Sequence, residues 1–251
     1  LLPGGDLLIA SEGSNDKKPR VMPRVFRVNA DGVWKEDLPI PSHYLPELVG
    51  KQTKGIQNNR VFEGLSTFND GKTVFVGTEG SLVQDVNEGS EVVRILKFTG
   101  STETKYQATA EYAYRMDSSV KEESAEVMRG ISEILAVSET KLLVLERGVR
   151  LSTHGVGMTV AIYLADLSKA TNTLKMDRIS AAKIAMAEKT KLVDFETDLT
   201  KVRGEQRVEN FEGLAWGPTL PDGRKSLLVI VDNNFSREEK TQLIVFAVEG
   251  E

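Results

Sequence analysis

Apolar residues along the chain fall into short, β-rich runs separated by turn residues. Four of these runs share one plan: a turn, an apolar run, then an acidic residue. They are Pro3–Asp6 followed by Leu7–Gly13, Asn69–Lys72 followed by Thr73–Gly80, Ser138–Lys141 followed by Leu142–Arg147, and Pro221–Arg224 followed by Leu227–Asn234. The acidic positions Glu12, Glu79, Glu146 and Asp232 recur 67, 67 and 86 residues apart, and an equal spacing twice is hard to obtain by accident.

The three later copies each carry a further strand upstream: Phe62–Phe68, Gly130–Val137 and Phe211–Trp216. The first and last of these repeat the tetrapeptide Phe-Glu-Gly-Leu. Asp-Gly turns between such runs are strong hairpin signals. A third run follows each acidic residue, at Arg24–Val28, Val92–Phe98, Thr159–Leu164 and Thr241–Val248. A weaker fourth follows in places, at Tyr106–Tyr114 and Lys191–Phe195.

Three or four antiparallel strands repeated radially describe a blade of an all-β β-propeller. A sandwich predicts no fixed period, and a parallel α/β sheet needs helices between its strands. The only helical patterns, Val120–Met128 and Ile179–Glu188, read as insertions in a single domain over residues 1–251, at about 115–129 and 168–190. Four repeats are few for closing a ring. Leu1–Asp6 reads as a strand end and turn, so a preceding segment is expected, and with it five or six four-stranded blades.

In a hairpin, the start of one strand lies beside the end of the next. This places Glu63 by Glu79, Glu133 by Glu146 and Glu212 by Asp232, and gathers them with Glu12 at one mouth of the channel. Asn210, Asn233 and Asn234 add neutral oxygens. Clustered carboxylates must raise their pKa or find a cation. Oxygen donors without His or Cys favour a hard ion, Ca²⁺ before Mg²⁺. The competing reading is that Arg60, Arg129, Arg147 and Arg207 neutralise them in ion-pair networks. Solvated loop glutamates explain the recurrence in register less well.

Composition narrows the chemistry. There is no cysteine, which removes thiolate metal sites and Cys nucleophiles, and only His43 and His154 are present, which leaves little for a Ser-His-Asp triad. A net charge of −5 with scattered Lys and Arg argues against nucleic-acid binding. The longest uncharged stretch, Leu151–Ala165, is too short to span a bilayer.

Taken together, Leu7–Gly13, Asn58–Leu65, Gly130–Glu133, Leu143–Arg147, Asn210–Pro218, Pro221–Arg224 and Asp232–Phe235 resemble the phytase-like domain described as having esterase-like activity. The resemblance covers essentially the whole chain in the family's order, apart from the first blade or so. It implies a propeller related by fold to alkaline phytases, in which calcium held by channel carboxylates binds phosphate esters. Carried over by position, the site would comprise Glu12, Glu63, Glu79, Glu133, Glu146, Arg147, Glu212, Asp232, Asn233 and Asn234. With acidic charge and no leader in this chain, the resemblance also suggests an extracytoplasmic setting.

The residues leave metal-assisted hydrolysis as the route for an enzyme. Arg147 would stabilise developing charge, and Glu63 or Glu133 would act as general base on a small-molecule ester or phosphate. The alternative is a non-catalytic propeller that binds a protein partner. His154 in its glycine-flanked loop reads as a turn residue, as does Gly155-Val156-Gly157, which has no helix after it. Phe62, Phe211, Phe235 and Trp216 read as blade packing. Ser180–Met186, beside Arg178, reads as a solvated insertion or a basic docking helix.

Overall fold

The computed structural model describes residues 1–88, 92–117, 127–152, 155–203, 208–237 and 239–249. Among the described residues, fourteen strands form four antiparallel sheets, each a meander in chain order. The first sheet holds β1 (Leu7–Ser11), β2 (Arg24–Val28) and β3 (Trp34–Leu38). The second holds β4 (Phe62–Phe68), β5 (Thr73–Thr78), β6 (Val92–Thr99) and β7 (Gln107–Arg115). The third holds β8 (Val127–Ala136), β9 (Lys141–Ser152), β10 (Gly155–Asp166) and β11 (Glu188–Asp194). The fourth holds β12 (Phe211–Trp216), β13 (Lys225–Val231) and β14 (Leu243–Val248).

The apolar runs of β5, β6, β9 and the middle of β10 are continuous rather than alternating because these strands are buried on both faces. On β5, Val74 and Val76 enter the core shared with the first sheet, whereas Phe75 enters the core shared with the third. On β9, Leu142 and Val144 face the second sheet, and Leu143 and Leu145 face the fourth. The sheets are thus packed face to face in a row, as propeller blades are, and β4 lies against β8 as β8 lies against β12. At the end of the row β14 alternates: it exposes Leu243 and Val245 while Ile244 and Phe246 are packed inward.

Two sheets have three strands, not the expected four. β1 packs on β4 as β5 packs on β8 and β9 on β12, so it holds the second-strand position of its blade. The fourth sheet holds positions one to three.

The hairpin signals are used as read. Asn69 and Asp70 take φ of 53° and 54° between β4 and β5, the left-handed pair that matches strand twist. Residues 168–190 differ from the helical expectation. They lie extended along β7, where Thr173 N donates to the Glu111 carbonyl and Ala187 N to that of Ala113, with only a 3₁₀ turn at Ala181–Lys183. Burial of Ile179 against Val92 and Ala113 outweighs the helical pattern and removes the docking-helix reading. Of the other helical pattern, residues 120–126 lie outside the described residues and Met128 belongs to β8. The helix that does form, α1 (Phe195–Arg203), starts where Asp194 Oδ1 accepts from Glu196 N at 3.2 Å and Thr197 N at 3.4 Å.

Candidate carboxylate–arginine site

A β-bulge recurs at one place in three sheets. Phe62 faces Thr78, Ile131 faces Glu146 and Phe211 faces Val231, and in each case the first strand then carries one extra residue before pairing resumes. Bulges bend a strand and re-aim its side chains. The register makes Glu79, Arg147 and Asp232 equivalent, and the likeness of Leu7–Gly13 to Val74–Gly80 adds Glu12 to that column. Glu63 and Glu212 share the bulge position with Ser132.

These positions converge on Arg147. Its Nη1 donates to Asn210 Oδ1 at 2.6 Å and lies 3.3 Å from Glu212 Oε1, while Nη2 lies 3.6 Å from Glu79 Oε1. Asn210 is therefore occupied by the arginine, not offered as a ligand. Glu63 adjoins the same group at its exposed edge: loss of surrounding water pushes its carboxyl from the ordinary 4.5 to about 7, Glu12, Glu79 and Glu212 add to this, and Arg147 opposes it. Burial also raises Glu79, against the charges of Arg60 and Arg147, and it raises Glu12. Arg60 is held by donating from Nη2 to the Arg129 carbonyl. Glycine makes room for the cluster, because a Cβ on Gly130 would lie 2.5 Å from Glu79 Cγ.

Glu133 stands one register position away from Glu63, where the other sheets have Gly64 and Gly213. Its Oε1 accepts from Ile134 N at 2.9 Å and, across the blade boundary, from Leu65 N at 3.2 Å. Burial lifts it to about 8 against these two hydrogen bonds, with Glu63 adding a smaller push upward. Gly64 permits this close approach of β4 and β8, since a Cβ there would lie 2.6 Å from Ile134 N.

Glu146 is a correction. It shares the position of Thr78 and Val231, and a slip of one residue turns a side chain to the opposite face. It is fully buried between the second and third sheets, accepting from Tyr114 Oη and Lys189 Nζ, both at 2.6 Å, and from Asp117 N at 2.9 Å. Arg129 lies 3.9 Å away. Lys189 Nζ also bonds Asp117 and sits 4.1 Å over the Tyr163 ring. This is an inter-blade clamp.

Asp232, Asn233 and Asn234 shape a loop. Asp232 Oδ1 accepts from Asn234 N at 2.9 Å, Asn233 Oδ1 from Phe235 N at 3.1 Å, and Asn234 Nδ2 donates to Glu239. Phe235 is fully exposed rather than packed, whereas Phe62 and Phe211 are core. Trp216 is partly exposed and donates from Nε1 to the Ala136 carbonyl. Thr153, His154 and Arg207 lie outside the described residues.

A second polar cluster went unforeseen. Arg94, fully buried on β6, bonds Asp85 through Nε at 2.7 Å and Glu111 through Nη1 at 2.7 Å. Glu111 also accepts from Tyr44 Oη at 2.6 Å and Thr173 Oγ1 at 2.9 Å, with His43 Nε2 at 2.7 Å. The available signal was an arginine inside the apolar run Val92–Leu96, which requires a buried partner.

No helix is long and apolar enough to cross a membrane among the described residues. Searches of curated proteins and of solved structures gave no match. The family model of phytase-like proteins, described as esterase-like activity of phytase, matches residues 1–235, a span that includes all of the carboxylates around Arg147. The chain belongs to the phytase-like family.

Proposed function

We propose that this chain hydrolyses anionic esters, phosphate esters first, at the carboxylate–arginine cluster. The observation that carries the reading is Glu63: a carboxyl near 7 beside a held arginine suits acid–base work at neutral pH. Arg147, kept in place by Asn210, would face the ester oxygen where charge develops. Glu63 would take a proton from the attacking water and return it to the leaving oxygen. Family membership supports an esterase-like activity at this coarse level.

A calcium ion fits the donor chemistry, because Glu12, Glu63, Glu79 and Glu212 offer oxygen alone, and loss of water leaves the charge of Glu12, Glu63 and Glu79 under-compensated. Glu12, which makes no ion pair among the described residues, would hold it first, leaving Glu63 to carry the proton. Bound there, the ion would supply charge screening for an anionic ester. Among the described residues no three acidic or histidine side chains are arranged to hold a metal, so binding would require Glu79 or Glu212 to turn from Arg147. The second reading, a binding propeller without turnover, is favoured by that same saturation of Arg147.

The test is release of p-nitrophenol from phosphate and acetate esters by metal-stripped protein, with and without about 1 mM Ca²⁺, beside thermal melts. Turnover that is lost in Glu63→Gln, with a Ca²⁺-dependent rise in Tm, supports the proposal. A rise without turnover favours the binding propeller. Turnover unchanged in Glu63→Gln overturns the assignment.

A further inference from the structure

Two loops border the carboxylate cluster. One, residues 12–23, leaves β1 through Glu12; the other, residues 45–61, enters β4 just before Glu63. They are tied together. Arg20 donates from its backbone N to the Leu48 carbonyl at 3.0 Å, from Nη1 to that of Glu47 at 2.6 Å and from Nη2 to that of Gly50 at 2.8 Å. Asn15 Nδ2 donates to the Ile56 carbonyl at 2.7 Å, and Asn58 Nδ2 to Asp16 at 2.7 Å. The loops therefore form one held surface beside the mouth.

That surface carries an unusual pairing of side chains. Val21, Leu48 and Val49 are 51%, 54% and 69% exposed, and Leu48 and Val49 lead into a turn at Gly50, whose φ is +80°. Lys17, Lys18 and Lys51, on the same two loops within four residues of them in sequence, are exposed and make no ion pair among the described residues. Segments 14–21 and 46–55 together hold five Lys and Arg against two carboxylates, in a chain whose net charge is −5. The two carboxylates are engaged within the loops: Asp16 by Asn58, and Glu47 by Thr53 N and Oγ1.

We propose that this surface docks on an anionic lipid bilayer, inserting Leu48, Val49 and Val21 at headgroup level while the lysines face the lipid charge. Apolar side chains ringed by lysine are what interfacial binding uses. A protein interface core is enriched instead in aromatic residues and arginine and depleted in lysine. Scattered exposed apolar residues need no explanation. These three are gathered on loops tied together by Arg20, Asn15 and Asn58, in segments that carry an excess of positive charge. Docking this way places the Glu12–Glu63 mouth next to the bilayer. The inference stands apart from the proposed hydrolysis, because binding requires no turnover.

The test is co-sedimentation of the whole chain with vesicles of phosphatidylcholine alone and with about 30% phosphatidylserine, in low and high salt. Binding is expected only to the anionic vesicles and should weaken with salt. Each lysine contributes about fivefold near a charged surface, so Lys17→Gln with Lys18→Gln should weaken binding about 25-fold. Leu48→Ser with Val49→Ser should weaken it at least tenfold. Leu243→Ser, an equally exposed apolar residue on β14, should change nothing, and melts of each variant should match the parent. No binding overturns the proposal, as does binding that ignores lipid charge or that Leu243→Ser weakens equally. Binding to soluble poly-glutamate with none to vesicles also overturns it, in favour of an acidic protein partner.

Discussion

Two regions of the molecule combine arginine with clustered carboxylates, one fully buried and one at a partly exposed rim, and they resolve the charge in opposite ways. Around Arg94, every partner is satisfied. Burial works to raise the Glu111 carboxyl, yet the His43 hydrogen bond and the Arg94 charge outweigh it and hold the group below its ordinary value. Around Arg147, burial wins and Glu63 and Glu79 are pushed up. The first cluster joins the second sheet to the segments before β4 and after β10, since it ties β6 and β7 to His43, Thr173 and Asp177. The second remains partly open, with the Arg147 and Glu212 side chains 20% and 35% exposed. A fully paired buried network serves the fold, whereas an under-compensated one at the rim has capacity left for a ligand.

The largest effect that separates the two should come from deleting each arginine. Arg94→Met strands Asp85 and Glu111 in the core and should cost about 3–5 kcal/mol, lowering Tm by roughly 2–4 °C for each kcal/mol. Arg147→Met removes partly exposed pairs worth about 0–1 kcal/mol and one hydrogen bond to buried Asn210 worth about 1–3 kcal/mol, so it should cost less than Arg94→Met and the fold should survive while ester turnover is lost. Chemical denaturation beside an activity assay checks both. Equal destabilisation by the two variants would erase the contrast.

A smaller effect should follow from Gly130→Ala. Its Cβ would lie 2.5 Å from Glu79 Cγ and 2.6 Å from Oε1, so the carboxylate must move or the strand must shift. A loss of about 1–3 kcal/mol is expected, with turnover falling alongside, and Gly223→Ala, where nothing lies within 4 Å, should leave turnover intact.

The smallest is a slope with pH. Glu63 and Glu133 have folded values of about 7 and about 8, above the ordinary 4.5, so between these limits the folded chain binds protons that the unfolded chain has lost. Their contribution is fully present below about pH 4.5 and is lost as pH rises through 7 and 8. The proton on Glu133 tilts stability by at most about 1.4 kcal/mol per pH unit, and that on Glu63, which is exposed, by less because solvent screens it. Melts from pH 5 to 9 should fall with pH, and Glu133→Gln should flatten the fall. A Glu133→Gln profile that matches the parent would remove Glu133 from the account.

Much of this fold was readable from spacing. The turn–run–acid plan located β1, β5, β9 and β13, and Phe-Glu-Gly-Leu marked both bulges that carry an aimed glutamate. The site was readable to within one residue. Aligning the repeats on the acidic residue grouped Glu146 with Glu79. Aligning Val74–Gly80 with Leu142–Gly148 on their apolar residues and final glycine instead groups Glu79 with Arg147, as the register does. One position decides the face in a strand, so the same segment yielded a buried clamp at Glu146 and the central cation at Arg147. The Arg94 cluster was less legible, because its partners come from four segments, two of which, around His43 and Thr173, are far from Arg94 in sequence.

The most direct test of the contrast is a ¹³C NMR titration of glutamate side-chain carboxyls in the folded protein, with Glu63, Glu111 and Glu133 assigned through Gln variants. The account requires Glu63 to titrate near 7, Glu133 near 8 and Glu111 below 4.5. Titration of Glu63 and Glu133 at or below 4.5 would mean that the rim cluster is as fully compensated as the core one, and would contradict it.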